Sequence, residues 1–235
     1  MTTTDHRPRR MSPEERRQAL IDAALELFGR NAPERVTMED VAAHAEVSRA
    51  LVYRYFSNIE EIRIAALRAA VDELVERLAR VRGGDLHEQL RETLEEFVSY
   101  AEERAAGYIA LLRSGSVIAT SETAALVDEA RHSVVDQVLG RLEAAGPPPP
   151  LLLLTLRCWV AVCEGAMLTW LQERTLSRES LVPWLSGQLI AMIAATGEQD
   201  PRVAALLPLL DPRPEHDVAR PANGAAAEAG QPSRA

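Results

Sequence analysis

Apolar side chains recur at helical spacing along most of the chain. Leu20, Ala23, Ala24, Leu27 and Phe28 share one face of a first helix, which Ser12 can cap, with Pro13 at the first helical position and Glu14 and Glu15 in the positive first turn. That helix ends before Pro33. Thr37, with Asp40 three residues on, opens a second short helix through a variant of the capping box, and Val41, Ala42 and Ala45 form its apolar face. Ser48 caps a third helix, and a tight turn at Glu46 and Val47 makes the pair a helix-turn-helix. From Asn58 a long helix is predicted to about Val81, with Ile59, Ile62, Ala66, Leu67, Ala70, Leu74 and Leu78 as its buried stripe and Gly83 and Gly84 as its stop.

Further helices are expected over residues 85–103, about 108–113, about 121–145, 151–174 and 178–196. Pro147, Pro148, Pro149 and Pro150 predict an extended connector, because each proline disfavours helix in the residue before it. The stretch 151–174 is apolar on more than one face, which predicts burial on two sides. Its apolar positions from Leu156 to Leu171, with those from Leu181 to Ile193, are expected to form an isologous four-helix dimer contact. Residues 203–210 predict one short docked helix, and the polar, Pro- and Ala-rich residues beyond are expected to be disordered.

Composition agrees with helix: 47% of the 235 residues are hydrophobic but only 4% aromatic. The expected fold is all-α, with an N-terminal three-helix DNA-binding domain, a larger C-terminal ligand-binding and dimerisation domain, and about nine helices. The expected divisions are a flexible Arg-rich arm at 1–12 carrying Arg7, Arg9 and Arg10, the helix-turn-helix at 13–57, the helical domain at 58–197 and a mostly disordered tail at 198–235. The formal net charge is -9, which excludes non-specific coating of nucleic acid and makes any DNA contact local. Cys158 and Cys163 form neither a disulfide scaffold nor a metal-binding CxxC. The polar N-terminus has no apolar signal region and the Leu151–Leu154 run is too short to span a bilayer, so a soluble cytoplasmic protein without a membrane partner is expected.

The function rests on TMEDVAAHAEVSRALVYRYFSNIEEI, residues 37–62. Small Ala42 lets two helices cross closely, Val47 and Val52 plug the space between them, and Ser48 presents a helix N-terminus to a phosphate. Arg49 and Arg54 project outward, where either can pair with guanine or with a phosphate. With Thr37, the Val41-Ala42 pair, Ala45, Val47-Ser48 and Tyr53-x-Tyr55-Phe56, this string resembles the signature of the TetR family of bacterial regulators. The resemblance implies phosphate contacts from Thr37, Ser48, Tyr53 and Tyr55, and a base-facing surface of Arg49, Ala50 and Arg54. Tyr55 fits a core role equally well, and Phe56 reads as core. Glu46, Ala50 and Ile59 depart from the family pattern, which usually has Gly in the turn, often Gly two after the capping Ser, and Lys at the start of the fourth helix.

The C-terminal half shows no Gly-rich phosphate loop, HExxH or GxSxG, and His87 and His132 have no partner at ligand spacing, so no enzyme, cofactor or metal is expected. Candidate lining residues of an apolar pocket are Phe97, Tyr100, Tyr108, Leu111, Leu112, Trp159, Cys163 and Met167. The expected partners are double-stranded operator DNA, a second copy of the chain and a small-molecule effector of apolar character. The expected function is a dimeric repressor that such an effector releases from a palindromic operator. The competing reading is a helical ligand-binding or adaptor protein with weakened DNA binding, motivated by Glu46, Ile59 and the net charge.

Overall fold

The computed structural model describes residues 11–112, 120–142 and 147–210, with the side chain of Leu111 outside the description. The basic residues Arg7, Arg9 and Arg10 and the tail beyond Leu210 lie outside the described residues. The elements in order are α1 (Pro13–Arg30), a 3-10 turn (Pro33–Arg35), α2 (Met38–His44), α3 (Arg49–Tyr55), α4 (Ile59–Arg80), α5 (Leu86–Glu103), α6 (Ala105–Leu112), α7 (Ser121–Arg141), α8 (Pro150–Glu173), α9 (Arg178–Gly197), α10 (Pro201–Ala204) and α11 (Leu207–Leu210). No strand occurs among the described residues.

Local sequence explains most helix starts. Ser12 with Glu15, Thr37 with Asp40 and Asp85 with Glu88 close reciprocal capping boxes on α1, α2 and α5, while Ser48 and Asn58 cap α3 and α4 by single side-chain acceptors. Three boundaries differ from the sequence reading. α6 begins at Ala105, one turn earlier than expected, directly after the kink at Arg104. The proline connector stops at Pro149, because Pro150 takes the first position of α8, where its missing N–H costs nothing. The expected single helix over 203–210 is two single turns, α10 and α11, which dock Val203, Leu206 and Leu210 into the core. The expected end of α7 near Ala145 lies outside the described residues.

Two hydrophobic cores result. The N-terminal one gathers Leu20, Ile21, Ala24 and Phe28 of α1 with Val41, Ala42, Val52, Phe56, Ile62 and Ala66. Leu20, Val41, Val52 and Ile62 are fully excluded from solvent, and each such aliphatic contributes roughly 1.5–3 kcal/mol. The C-terminal core joins α5, α8 and α9 through Leu94, Val98, Leu156, Met167, Leu185 and Leu189. α4 belongs to both halves: its first turns close the N-terminal core and its remainder runs beside α7. The two helices run in the same direction, since Arg68 lies 4.0 Å from Glu129, Gln137 Nε2 donates to the Val75 carbonyl at 3.1 Å and Arg141 Nη2 to the Leu78 carbonyl at 2.6 Å.

The turn between α2 and α3 is a Schellman cap. The Val47 amide donates to the Ala42 carbonyl at 2.9 Å and the Glu46 amide to the Ala43 carbonyl at 3.2 Å, which forces Glu46 into the left-handed region at φ 52°. A side chain there costs roughly 1–2 kcal/mol relative to glycine, partly offset by glycine's extra freedom in the unfolded chain. Glu46→Gly is therefore expected to stabilise the protein by about 0.5–1 kcal/mol, raising Tm by roughly 2 °C. Calorimetry checks this; a lowered Tm would show that the turn carries no such strain.

Candidate functional site

The exposed side of the helix-turn-helix is built on α3. Ser48 accepts the Leu51 amide at 3.3 Å, and Arg49, Ala50, Tyr53 and Arg54 follow on one exposed arc. Arg49 is held on both sides: Nη1 lies 2.6 Å from Glu39 Oε1 of α2, Nη2 donates to the Tyr53 hydroxyl at 3.3 Å, and the guanidinium sits 5.3 Å from the Tyr53 ring centre. The Tyr53 hydroxyl and the Glu39 carboxylate push its pKa further up. Arg54 is exposed and makes no ion pair among the described residues. Thr37 is exposed, and its hydroxyl donates to Asp40 Oδ2 at 2.7 Å, which with the Thr37 amide holds the Asp40 carboxyl below its usual value.

Tyr55 is half-buried against the N-terminal core, and Phe56, 2% exposed, lies inside it with the Arg17 guanidinium 4.9 Å from its ring centre. Ile59 packs on the same core. Glu39 is the residue of this surface that sequence reasoning missed, because nothing along the chain links a residue of α2 to the first residue of α3.

Between α4, α5, α6, α7 and α8 lies a cavity of about 210 Å3 with an almost wholly apolar wall. Of the eight side chains proposed from sequence to line it, Phe97, Tyr100, Tyr108, Leu112, Trp159 and Cys163 stand on its wall. Met167 does not, being fully buried in the C-terminal core, and the Leu111 side chain lies outside the described residues. Sequence reasoning missed a large share of the wall: Leu67, Ala70, Val71 and Leu74 of α4, Val127, Ala130 and Val134 of α7, and Leu25, Phe28 and Gly29 of α1. A stripe that faces a void carries the same periodicity as one that faces a neighbouring helix, so no signal could have separated them.

The charged side chains on the wall, and the Tyr100 hydroxyl, have partners in the protein. Arg131 Nε and Nη2 reach Glu164 at 2.9 and 2.7 Å, which raises its pKa further. Arg104 pairs with Glu73 and Glu103, Arg63 with Glu60, and the Tyr100 hydroxyl donates to the Ala70 carbonyl at 2.5 Å. Tyr100 lies between Arg77 and Arg104, whose guanidiniums are 5.2 and 4.6 Å from its ring centre. His87 Nδ1 contacts the Leu210 carbonyl at 2.9 Å and His132 Nδ1 the Asp128 carbonyl at 2.7 Å, so each ring has a backbone partner. Among the described residues no group of three His, Cys, Asp or Glu is placed to hold a metal.

The outer face of α8 and α9 differs from the one read off the sequence. Leu156, Trp159, Cys163, Met167, Leu185 and Leu189 turn inward and close the monomer core. Outward stand Leu154 at 58% exposure, Cys158, Ala161 and Gly165 on α8, and Trp184 at 45%, Gly187 and Ala191 on α9. A Cβ placed on Gly165 or Gly187 would meet nothing within 4 Å, so another helix has room to approach there.

A helix-turn-helix with exposed arginines, joined through a shared long helix to a helical domain that lines an apolar cavity, defines a DNA-binding transcription regulator. The chain belongs to the TetR family. Residues 20–66 match the bacterial regulatory proteins of the tetR family, and residues 86–192 match the tetracyclin repressor-like C-terminal domain. A tetR-family transcriptional regulator from Streptomyces coelicolor superposes with a TM-score of 0.78 at 35% identity, over 84% of this chain and 88% of that one. The transcriptional activator FasR of Mycolicibacterium smegmatis is 31% identical over 136 residues, covering 57% of this chain and 62% of that protein. The nicotine-responsive transcriptional repressor HdnoR of Paenarthrobacter nicotinovorans is 36% identical over 75 residues, covering 32% and 39%. The chain thus spans less than two thirds of the length of either of these two relatives.

Burial, with a smaller push from Glu164, raises the Cys163 thiol to about 12. The unfolded chain ionises more easily, so the stability contributed by the neutral thiol is present below about pH 9 and is lost as the pH climbs toward 12. At pH 8 Cys163 is expected to resist iodoacetamide in the folded protein and to react at once in guanidinium. Peptide mass spectrometry checks this, and rapid native labelling of Cys163 would contradict it.

Proposed function

We propose that the protein is a ligand-responsive repressor that binds a palindromic operator as a homodimer in the cytoplasm. α3 enters the major groove, with Arg49, Ala50 and Arg54 nearest the bases and Thr37, Ser48, Tyr53 and Tyr55 toward the phosphates. Residues 13–57 act as the DNA-binding unit and residues 58–197 as the sensing and dimerisation unit. The observation that carries the reading is that the cavity wall includes Phe28 and Gly29 of α1 together with the stripe of α4 from Arg63 to Leu78. An occupant therefore touches the elements that position the helix-turn-helix, and releases the operator to the extent that it binds the released state more tightly.

The second reading, a helical ligand-binding or adaptor protein with weakened DNA binding, is favoured by the Glu39–Arg49 pair, which occupies one of the two outward arginines of α3. A selection from random duplex DNA with the purified protein separates the two: an enriched inverted repeat supports the repressor, and no enrichment supports the adaptor. Compounds that release the enriched site then test the sensing half.

Two variants test the parts. Arg54→Ala is expected to weaken operator binding about 10- to 100-fold and relax its sequence preference, read by gel shift at fixed salt. Unchanged affinity would remove Arg54 from the recognition surface. Gly165→Glu places a charge on the outward stripe of α8 and is expected to give a folded monomer by sedimentation velocity and circular dichroism. A dimer of wild-type stability would move the interface off α8.

A further inference from the structure

The cavity wall carries a hydroxyl with no partner among the described residues. Tyr108 stands on the wall, its ring edge-on to Phe97 with centroids 6.2 Å apart, and its buried hydroxyl has no hydrogen-bond partner among the described residues. Such a group is costly to leave unpaired, and proteins seldom do so outside functional sites. Burial pushes the phenol well above its ordinary value, so at neutral pH it keeps its proton and remains a donor.

The charges around it restrict what could pair with it. Each charged side chain on the wall is answered by an opposite charge of the protein: Arg131 by Glu164 and Asp128, Arg104 by Glu73 and Glu103, Arg63 by Glu60. A cationic guest beside Tyr108 would compete with Arg131 for Glu164. An anionic guest would compete with Glu164 for Arg131. Either exchange leaves a protein charge poorly solvated and unpaired. A neutral guest disturbs neither. The wall is also long, running from Arg63 to Leu78 on α4 and from Thr123 to Val138 on α7, roughly 22 Å of each helix.

We propose that the cavity takes an elongated, uncharged, mainly apolar molecule whose single acceptor oxygen, a ketone or ester carbonyl, receives a hydrogen bond from Tyr108. The inference rests on the reading of this cavity as the effector site.

Three probes that share a twelve-carbon chain separate the possibilities: dodecanone, dodecanoate and dodecyltrimethylammonium, titrated calorimetrically into the full-length protein and its Tyr108→Phe variant. Dodecanone is expected to bind at least tenfold more tightly than either charged probe. The variant keeps the ring, so it should fold with an unchanged or raised Tm, lose about five- to tenfold in dodecanone affinity and change less than twofold toward dodecanoate. A charged probe that binds as well as dodecanone, or a variant with unaltered dodecanone affinity, overturns the inference and leaves the sensing reading intact. If no probe binds while the protein still shifts its operator, both the inference and the sensing reading fall.

Discussion

Helix α4 has one apolar stripe and two obligations for it. Ile62 and Ala66 at its start are buried in the N-terminal core, whereas Leu67, Ala70, Val71 and Leu74 stand on the cavity wall and stay only partly buried. A rigid helix cannot satisfy one without setting the angle of the other, because side chains three and four apart keep their relative directions. The placement of the helix-turn-helix therefore depends on what α5 and α7 leave open beside the later turns of α4.

A second contact keeps the two halves in register. The end of α1 crosses the kink between α5 and α6 closely enough that a Cβ on Gly107 would come within 3.1 Å of the Phe28 carbonyl, and one on Gly29 within 3.6 Å of the Arg104 Cα. Backbone touching backbone transmits displacement with little slack, since neither surface can rearrange a side chain to absorb it. Beside this crossing, Arg77 and Arg104 bind Glu73 and Glu103 around the Tyr100 ring. That cluster ties α4 to the α5–α6 kink by charge and stacking.

The electrostatics of the chain are local. A net charge of -9 sits on a protein whose family binds DNA, and the outward arc of α3 carries arginines although α2 begins with Glu39 and Asp40. The acids of α2 have structural partners, Asp40 in the capping box and Glu39 on Arg49. Glu39 holds Arg49 over Tyr53, which reduces the side-chain freedom of the arginine.

The sequence by itself determined what depends on neighbours along the chain: the caps at Ser12, Thr37, Ser48, Asn58 and Asp85, and the helix-turn-helix as a unit. These are set by hydrogen bonds spanning three to five residues, and such bonds leave their signature in residue type and spacing. Only the tertiary structure decided which apolar stripe meets a neighbour and which meets a void, so that Met167 went to the core while α4 and α7 supplied the cavity wall. It also decided that Leu156, Met167, Leu185 and Leu189 of α8 and α9 face inward while Leu154, Gly165, Trp184 and Gly187 face outward, and that Glu39 takes Arg49. Periodicity records that a face is apolar. What that face touches is settled by helix crossings between residues far apart in sequence, which no local pattern encodes.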